Sequence, residues 1–469
     1  MKKAALALLV LCAAAAFSGC PFRRAPAVKA DRTVETDVVV VGGGAAGLAA
    51  AIEAVDNGAR VILVEKTAAL GGTTLRAGGG IDAAESPVQK QQNVNYPVSQ
   101  YEEDVFRYGE EKANRELTAI LARDSASAIE WLMSLGMPLV LADPERYPSR
   151  HRVPEGSFGA ELIKLLASVA ADKGVNVRTE ERATDIIQDS KGVVTGVKTI
   201  GKDGKTTYFK AKATVIATGG FGADASLIER FAKDWAGIRT NLVAPSSTGD
   251  GIRMAEAIGA DLTHMQYIQG FPTVTEKGAT LRGLEPAGAI LVNRSGERFV
   301  NETAKGVTVA AAMLRQEGKT AFLLMDGKFA NQAAVKTARD QGVLLEAETL
   351  DELAGKMNVD AARLKAAVDE YNRGQETGND RFGRSTFPAR LEDAPWLAVQ
   401  VFPAAYATLG GVRVNQDAQA LKNARPISGL FAAGEVVGGI FGADKFGVST
   451  TTAAIVFGRL AGRNAARAK

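Results

Sequence analysis

The chain has 469 residues, 46% of them hydrophobic and 23% charged, with a formal net charge of +3. This is globular composition, long enough for two domains; it excludes disorder, collagen or coiled coil as the main architecture and gives no reason to expect a nucleic-acid partner. Two cysteines and two histidines cannot build a CxxCH haem site, an iron–sulfur cluster or a Cys/His zinc centre, so no metal site is expected.

The chain opens on Lys2 and Lys3, an apolar run over 4–16, and then Phe17-Ser18-Gly19-Cys20. A charged start, an apolar stretch and small residues read as a secretory signal, and the run is too short for a comfortable membrane span. Small residues just before a cysteine are similar to the lipobox of bacterial lipoproteins. That predicts a signal over 1–19, acylation of Cys20 and a tether over 20–33. Attachment would be by lipid alone, on the periplasm-facing side of a bacterial envelope membrane.

Residues 36–41 read TDVVVV, a buried parallel strand. They run into Gly42-Gly43-Gly44-Ala45-Ala46-Gly47 and the helical stretch LAAAIEAVDNGA; a second apolar strand over 60–64 ends at Glu65 and Lys66. Strand, GxGxxG, helix, strand and acid form a dinucleotide fingerprint. Gly42 makes the tight turn, Gly44 admits the pyrophosphate, and Gly47 lets helix and sheet pack. The helix N-terminus offers free N–H groups and a positive dipole end, and Glu65 accepts hydrogen bonds from ribose hydroxyls. A second glycine-rich loop follows, Gly71-Gly72-Thr73-Thr74-Leu75-Arg76-Ala77-Gly78-Gly79-Gly80. A nicotinamide cofactor does not need it. It fits passage along a longer dinucleotide and predicts non-covalently bound FAD.

Further on, residues 193–211, with Asp203-Gly204 between strand-like runs, predict a β-hairpin. Residues 213–220, ATVIATGG, predict a strand ending in Ala217, Thr218 and Gly219. Asp250, in TGDG, is expected beside the cofactor as the cap of the next helix. Residues 307–318 and 351–376 carry amphipathic helical patterns. Residues 429–435, GLFAAGE, predict a strand that brings Gly434 and Glu435 to the ribityl chain. Ser449 or Thr450 is expected to cap a last apolar helix, whose dipole would stabilise negative charge on a reduced flavin.

In this order the pieces resemble the flavoprotein family of soluble fumarate reductases, which also holds urocanate reductase, other enoate reductases and, more distantly, 3-ketosteroid dehydrogenases. The matching stretches are VVVVGGGAAGLAAA, EKTAALGGTTLRAGGG, VIATGGF, TGDGIRMAEAIGA, MQYIQGFPT, GAILVNRSGERFVNE, TLGGVRVN and GLFAAGEVVGGIFGADKFG. The resemblance implies an α/β fold: a Rossmann-like FAD-binding domain split into 34–270 and 405–469, with an α+β capping domain, 271–404, inserted between the halves.

The resemblance also implies hydride transfer from flavin N5 to an activated C=C bond, with histidines and arginines gripping carboxylates and an arginine delivering the proton. Carried over one position at a time, the two gripping histidines fall on Phe271 and Tyr406. One arginine falls on Lys445, and the proton-donating arginine falls on Gly306, beside Lys305. A Glu–Arg pair falls in a shortened segment that holds Arg282 and Glu285. A dianion such as fumarate wants several cationic donors in fixed geometry, and Lys does not replace the fork of Arg. Phe271 and Tyr406 instead suit an aryl or mono-carboxylate, or an enone. Tyr406 is the first choice of proton donor, Arg282 the second and Lys305 the third; Tyr406 could instead polarise a ketone. Each of these, and Lys445, has a structural alternative as a wall, ion-pair or surface residue. His151 falls where relatives carry His-Arg near the flavin and the substrate entrance, while His264 is expected to be structural. The leading expectation is a reductase of α,β-unsaturated carboxylates fed by a separate cytochrome or FMN protein. Desaturation of a ketone or steroid-like substrate, and a flavin-binding electron-transfer subunit with no substrate of its own, are the alternatives.

Overall fold

Four consecutive valines, Val38–Val41, are all buried. A β-branched run with no polar face needs strands on both sides and helices on both faces. The computed structural model, which describes residues 28–468, supplies both. Val38–Val41 lies in a six-stranded sheet between Val61–Val64 and Ala213–Ile216, with Asn176–Arg178 at one edge and the hairpin Gln419–Lys422 and Arg425–Ala432 at the other. The pairings are parallel except within that hairpin. Arg425–Ala432 therefore returns from the far end of the chain to complete the N-terminal sheet.

Helix Ala45–Asp56 and the closing helix Ser449–Ala466 pack on each other over this sheet. Their backbones approach closely because Gly458 and Gly462 face Ala46 and Ala50; a Cβ at Gly462 would overlap the Ala50 carbonyl. Arg459 and Arg463 then reach across to Glu53, with Nε–Oε distances of 2.8 and 3.1 Å.

The expected hairpin is present as Val194–Gly201 and Thr206–Lys210, in a separate four-stranded sheet. Arg32–Glu35 is the edge strand of that sheet, parallel to Thr206–Lys210. The tether expected to reach residue 33 thus ends earlier, because Arg32 and Thr33 pair with the hairpin. The signal sequence and Cys20 lie outside the described residues. Among the described residues no helix is long and apolar enough to cross a membrane.

A second apolar core gathers Leu291, Leu323, Leu353 and Val399. Its five-stranded sheet holds Ile268–Val274, Trp396–Thr408, Ala321–Met325, Ile290–Val292 and Leu344–Ala347. The helical pattern over 351–376 is two helices, Leu350–Met357 and Ala361–Thr377. The break is local: Asn358 takes a left-handed φ of 53°, and Asp360 caps the second helix through the Arg363 N–H. Strand Trp396–Thr408 carries Leu397 to Val401 in this second core and Ala405 in the first. It pairs antiparallel with Ile268–Val274, Phe271 opposite Ala404 and Ile268 opposite Thr408. The two chain crossings expected near 270 and 404 are therefore one two-stranded ribbon.

Candidate active site

The FAD-type fingerprint forms one wall of a cleft. Gly42, Gly44, Ala45 and Ala46 line it where helix Ala45–Asp56 begins. Gly44 caps that helix in extended backbone without a side-chain bond, so the first-turn N–H groups face the cleft apart from that of Ala45, which donates to Thr74 Oγ1 at 3.2 Å. Glu65 and Lys66 line the next stretch, followed by Gly72, Thr73, Thr74 and Ala77. Glu65 accepts from Gly43 N at 2.8 Å and from Thr67 N at 2.8 Å, which fixes its carboxylate toward the cleft. Ala217, Thr218 and Gly219 line the opposite side, and the Thr218 hydroxyl is buried with no hydrogen-bond partner among the described residues. Gly434, Glu435 and Thr450 close the far end. Burial pushes the Glu435 carboxyl up, against the Thr408 N–H (2.9 Å) and hydroxyl that it accepts. A cradle of glycines, an open helix N-terminus and an acid at the ribose position fit a long dinucleotide.

Several expected contacts have other work. Gly47 does not line the cleft; a Cβ there would overlap the Gly42 carbonyl, so it lets helix and turn close. Gly71, with φ 122°, donates its N–H to Gly43 O and holds the second loop against the first, and Gly79 packs on Val448. Gly78 meets no atom within 4 Å of a built Cβ. Asp250 lines the cleft but does not cap its helix. Gly249 is the N-cap, in left-handed backbone, while Asp250 occupies the first turn and binds Lys66 Nζ (3.0 Å) and the Arg182 fork (3.1 Å). Neither Ser449 nor Thr450 caps the last helix. Its N-cap is Val448, and Ser449 Oγ turns back to Phe446 O. Two of its first-turn N–H groups are spent locally, that of Ser449 on Phe446 O and that of Thr451 on Val448 O, while Thr450 and Thr451 line the cleft. Ser247 and Thr408, which the sequence reading did not single out, also line it.

The glycines give a paired prediction. Gly44→Val should fold, because a Cβ there meets nothing closer than Thr74 Oγ1 at 3.7 Å, yet it should lose FAD. Gly47→Val should yield little folded protein. Flavin absorbance and circular dichroism read both outcomes; a fully yellow Gly44→Val would move the pyrophosphate elsewhere.

Beyond the cleft, strand Trp396–Thr408 carries Tyr406 at a β-bulge, the residue skipped where Gln269 pairs with Ala407 and Gly270 with Ala405. The Arg282 guanidinium lies 4.1 Å from the Phe271 ring centroid and 5.2 Å from that of Tyr406. Lys445 Nζ lies 5.4 Å from the Tyr406 ring and donates to Gly447 O at 2.5 Å. The structure thus brings four of the expected residues, Phe271, Tyr406, Arg282 and Lys445, into one aromatic and cationic cluster. Lys445 is buried, and burial lowers its pKa to about 8, opposed by the charges of Asp82 and Asp444 and aided by those of Arg282 and Arg150. Burial pushes both acids up, although Asp82 accepts Val448 N–H (2.6 Å) and Asp444 accepts Lys445 N–H (2.8 Å).

Two expected residues are held elsewhere. Lys305 donates to Tyr108 O at 2.9 Å and sits 4.4 Å over the Tyr108 ring. His151 is fully buried, with Nε2 on Ser86 Oγ at 2.7 Å and Nδ1 on Ser149 O at 2.9 Å. Burial lowers its pKa to about 4, so it is a neutral structural residue rather than a group at the entrance. His264 lies with its ring edge-on to Tyr267, its Nδ1 buried and without a partner among the described residues.

Comparison with known proteins agrees with this geometry. The model of an FAD binding domain family matches residues 37–447. The fumarate reductase (cytochrome) of Shewanella frigidimarina is 34% identical over 441 residues, 92% of this chain and 77% of the relative. Urocanate reductase of Eggerthella lenta is 34% identical over 456 residues, 92% of this chain and 75% of the relative. The open conformation of a flavocytochrome c3 fumarate reductase superposes with a TM-score of 0.84 at 33% identity, over 93% of this chain and 79% of that one. The chain belongs to the fumarate reductase-like family of FAD-dependent oxidoreductases, and FAD is its cofactor.

Proposed function

We propose that the protein reduces the C=C bond of an α,β-unsaturated carboxylate with an aryl or small apolar substituent. The observation that carries this is the cluster of Phe271, Tyr406, Arg282 and Lys445 on the ribbon and loop that border the FAD cleft. When bound and reduced, FAD supplies the hydride that forms the new C–H bond at the β-carbon. The protein's own residues do the rest. Cations hold the carboxylate, the two aromatic rings hold the apolar part, and a side chain protonates the α-carbon as the π electrons move there. Lys445 is the proton donor in this reading. Its ammonium is buried within this cluster and has the lowered pKa, about 8, that general acid catalysis at neutral pH calls for. Tyr406, the first choice from sequence, then shapes the wall. A separate cytochrome or FMN protein delivers electrons, and the lipobox-like stretch ending at Cys20 supports a lipid-anchored enzyme on an envelope membrane facing the periplasm.

Oxidation of reduced viologen with fumarate, urocanate, acrylate, cinnamate and itaconate tests the proposal. Cinnamate or acrylate should turn over faster than fumarate. No turnover with any of the five would sink it.

A further inference from the structure

We infer that Arg150 grips the substrate carboxylate, together with Arg282 and Lys445, across the Tyr406 ring; this rests on the carboxylate reading above.

Arg150 sits on strand Tyr147–Arg152, directly opposite Asp82 in the antiparallel pairing with Ile81–Asp82. In an antiparallel pair, opposed side chains project to the same face. That face meets the Gly447–Val448 turn, because Asp82 accepts the Val448 N–H. Lys445 reaches the same turn through Gly447 O, so strand and loop converge on one spot beside Tyr406.

The guanidinium of Arg150 makes no hydrogen bond and no ion pair with any described residue, and its Nε is fully buried. Stacking on Tyr147, 4.2 Å from the ring centroid, holds it. An arginine has five N–H donors and no acceptor, and a buried donor left without a partner is destabilising. Asp82 is close enough for Arg150 to favour its ionised form, yet the two make no salt bridge. The Asp82 oxygens are instead taken by Val448 N–H and the Ser149 hydroxyl.

Charge around this spot is also unbalanced. Arg150 and Arg282 both disfavour the charged form of Lys445, and Arg282 likewise has no hydrogen bond or ion pair among the described residues, resting only on its two rings. Against these three cations stand Asp82 and Asp444, both pushed toward the neutral form by burial. A carboxylate from outside supplies the missing negative charge and takes the unused fork of Arg150 in bidentate fashion. A structural role for Arg150, as a partner of Asp82 alone, would leave its fork idle and would not concern the substrate.

The test uses the FAD-loaded protein. Arg150→Gln should raise the KM for cinnamate by roughly 10- to 100-fold, the span of a lost charge-assisted hydrogen bond, with kcat changed far less. The KM for neutral cinnamamide should stay put, so that the preference for acid over amide collapses. Arg150→Lys should fall between wild type and Arg150→Gln. Flavin content and melting temperature should match wild type in both variants. Equal movement of the acid and amide KM values, or none in either, overturns the assignment; if Arg150→Gln does not fold, an unchanged cinnamate KM in Arg150→Lys does the same. Binding of hydrocinnamate, which cannot be reduced, is read separately from the flavin absorbance. Hydrocinnamate binding that Arg150→Gln weakens, in a protein that turns over no enoate, keeps the carboxylate grip and removes the reductase reading. Turnover with unchanged acid preference keeps the reductase and removes the grip.

Discussion

Lys445→Met lowers the turnover of the best enoate by roughly 10²- to 10⁴-fold, the usual contribution of a general acid, while FAD stays bound. The sign of the pH dependence follows from the donor's role. An acid must carry its proton; the Lys445 ammonium is populated below its pKa of about 8 and lost above it. Wild-type kcat should therefore fall as pH rises through about 8, and that limb should vanish in Lys445→Met. The charged groups facing Lys445 are Asp82, Asp444, Arg282 and Arg150, and of these the two acids are the only ones that change charge in a working pH range. Burial raises both acids, so the limb is assigned to Lys445 by its loss in Lys445→Met. Carboxylate binding adds negative charge next to the ammonium and should move the limb upward in kcat relative to kcat/KM. Lys445→Arg separates proton transfer from binding, because a guanidinium stays charged and does not give up its proton. Near-normal KM with turnover still low supports the acid; near-normal turnover with the limb intact would hand the role to Tyr406.

The second large effect concerns the second core. Glu302 has no exposure, and its carboxylate binds Arg298 Nε (2.9 Å), Arg298 Nη2 (3.0 Å) and Arg384 Nη1 (3.1 Å), with both arginine side chains equally buried. Glu302→Leu removes the anion and leaves two guanidinium groups inside the protein. Arg298 keeps Asp380 at 2.6 Å, and Arg384 keeps only carbonyl oxygens, those of Ala289, Glu285 and Thr386. Breaking one partner out of a buried pair costs about 3–5 kcal/mol. Urea denaturation followed by tryptophan fluorescence should show a loss of that size, since Trp396 lies in the same core. A loss under about 1 kcal/mol would mean that water or Asp380 satisfies both arginines.

The nucleotide half of the molecule was legible because its signal is local. Valines over 38–41 require burial, glycines 42–47 require a tight turn and close approach, and both demands fall within one stretch of chain. The GERFVNE stretch was legible as a family mark but not as chemistry. Its purpose, two arginines converging on Glu302, needs Arg384, some eighty residues away. The cluster beside the flavin cleft was half legible. Phe271, Tyr406, Arg282 and Lys445 came together as the family pattern implied. Lys305 did not, because the Tyr108 carbonyl and ring capture its ammonium. His151 was misread and Arg150 passed over for one reason: adjacent residues on a strand face opposite ways, and sequence alone does not say which of the two points inward. The helix caps failed for a similar reason. Gly249 and Val448 take the cap positions that polar neighbours would fill in isolation, because Asp250 is drawn to Lys66 and Arg182, and Ser449 to Phe446 O.

The paired strands Ile268–Val274 and Trp396–Thr408 join the two cores and carry Phe271 and Tyr406. A hinge made of two loops would let the upper body swing while the floor of the reaction chamber stayed still. Here the hinge and the chamber wall are the same hydrogen-bonded pair of strands. A rotation of one body against the other would twist that pair and would be felt at the two rings and at the Arg282 guanidinium stacked on them.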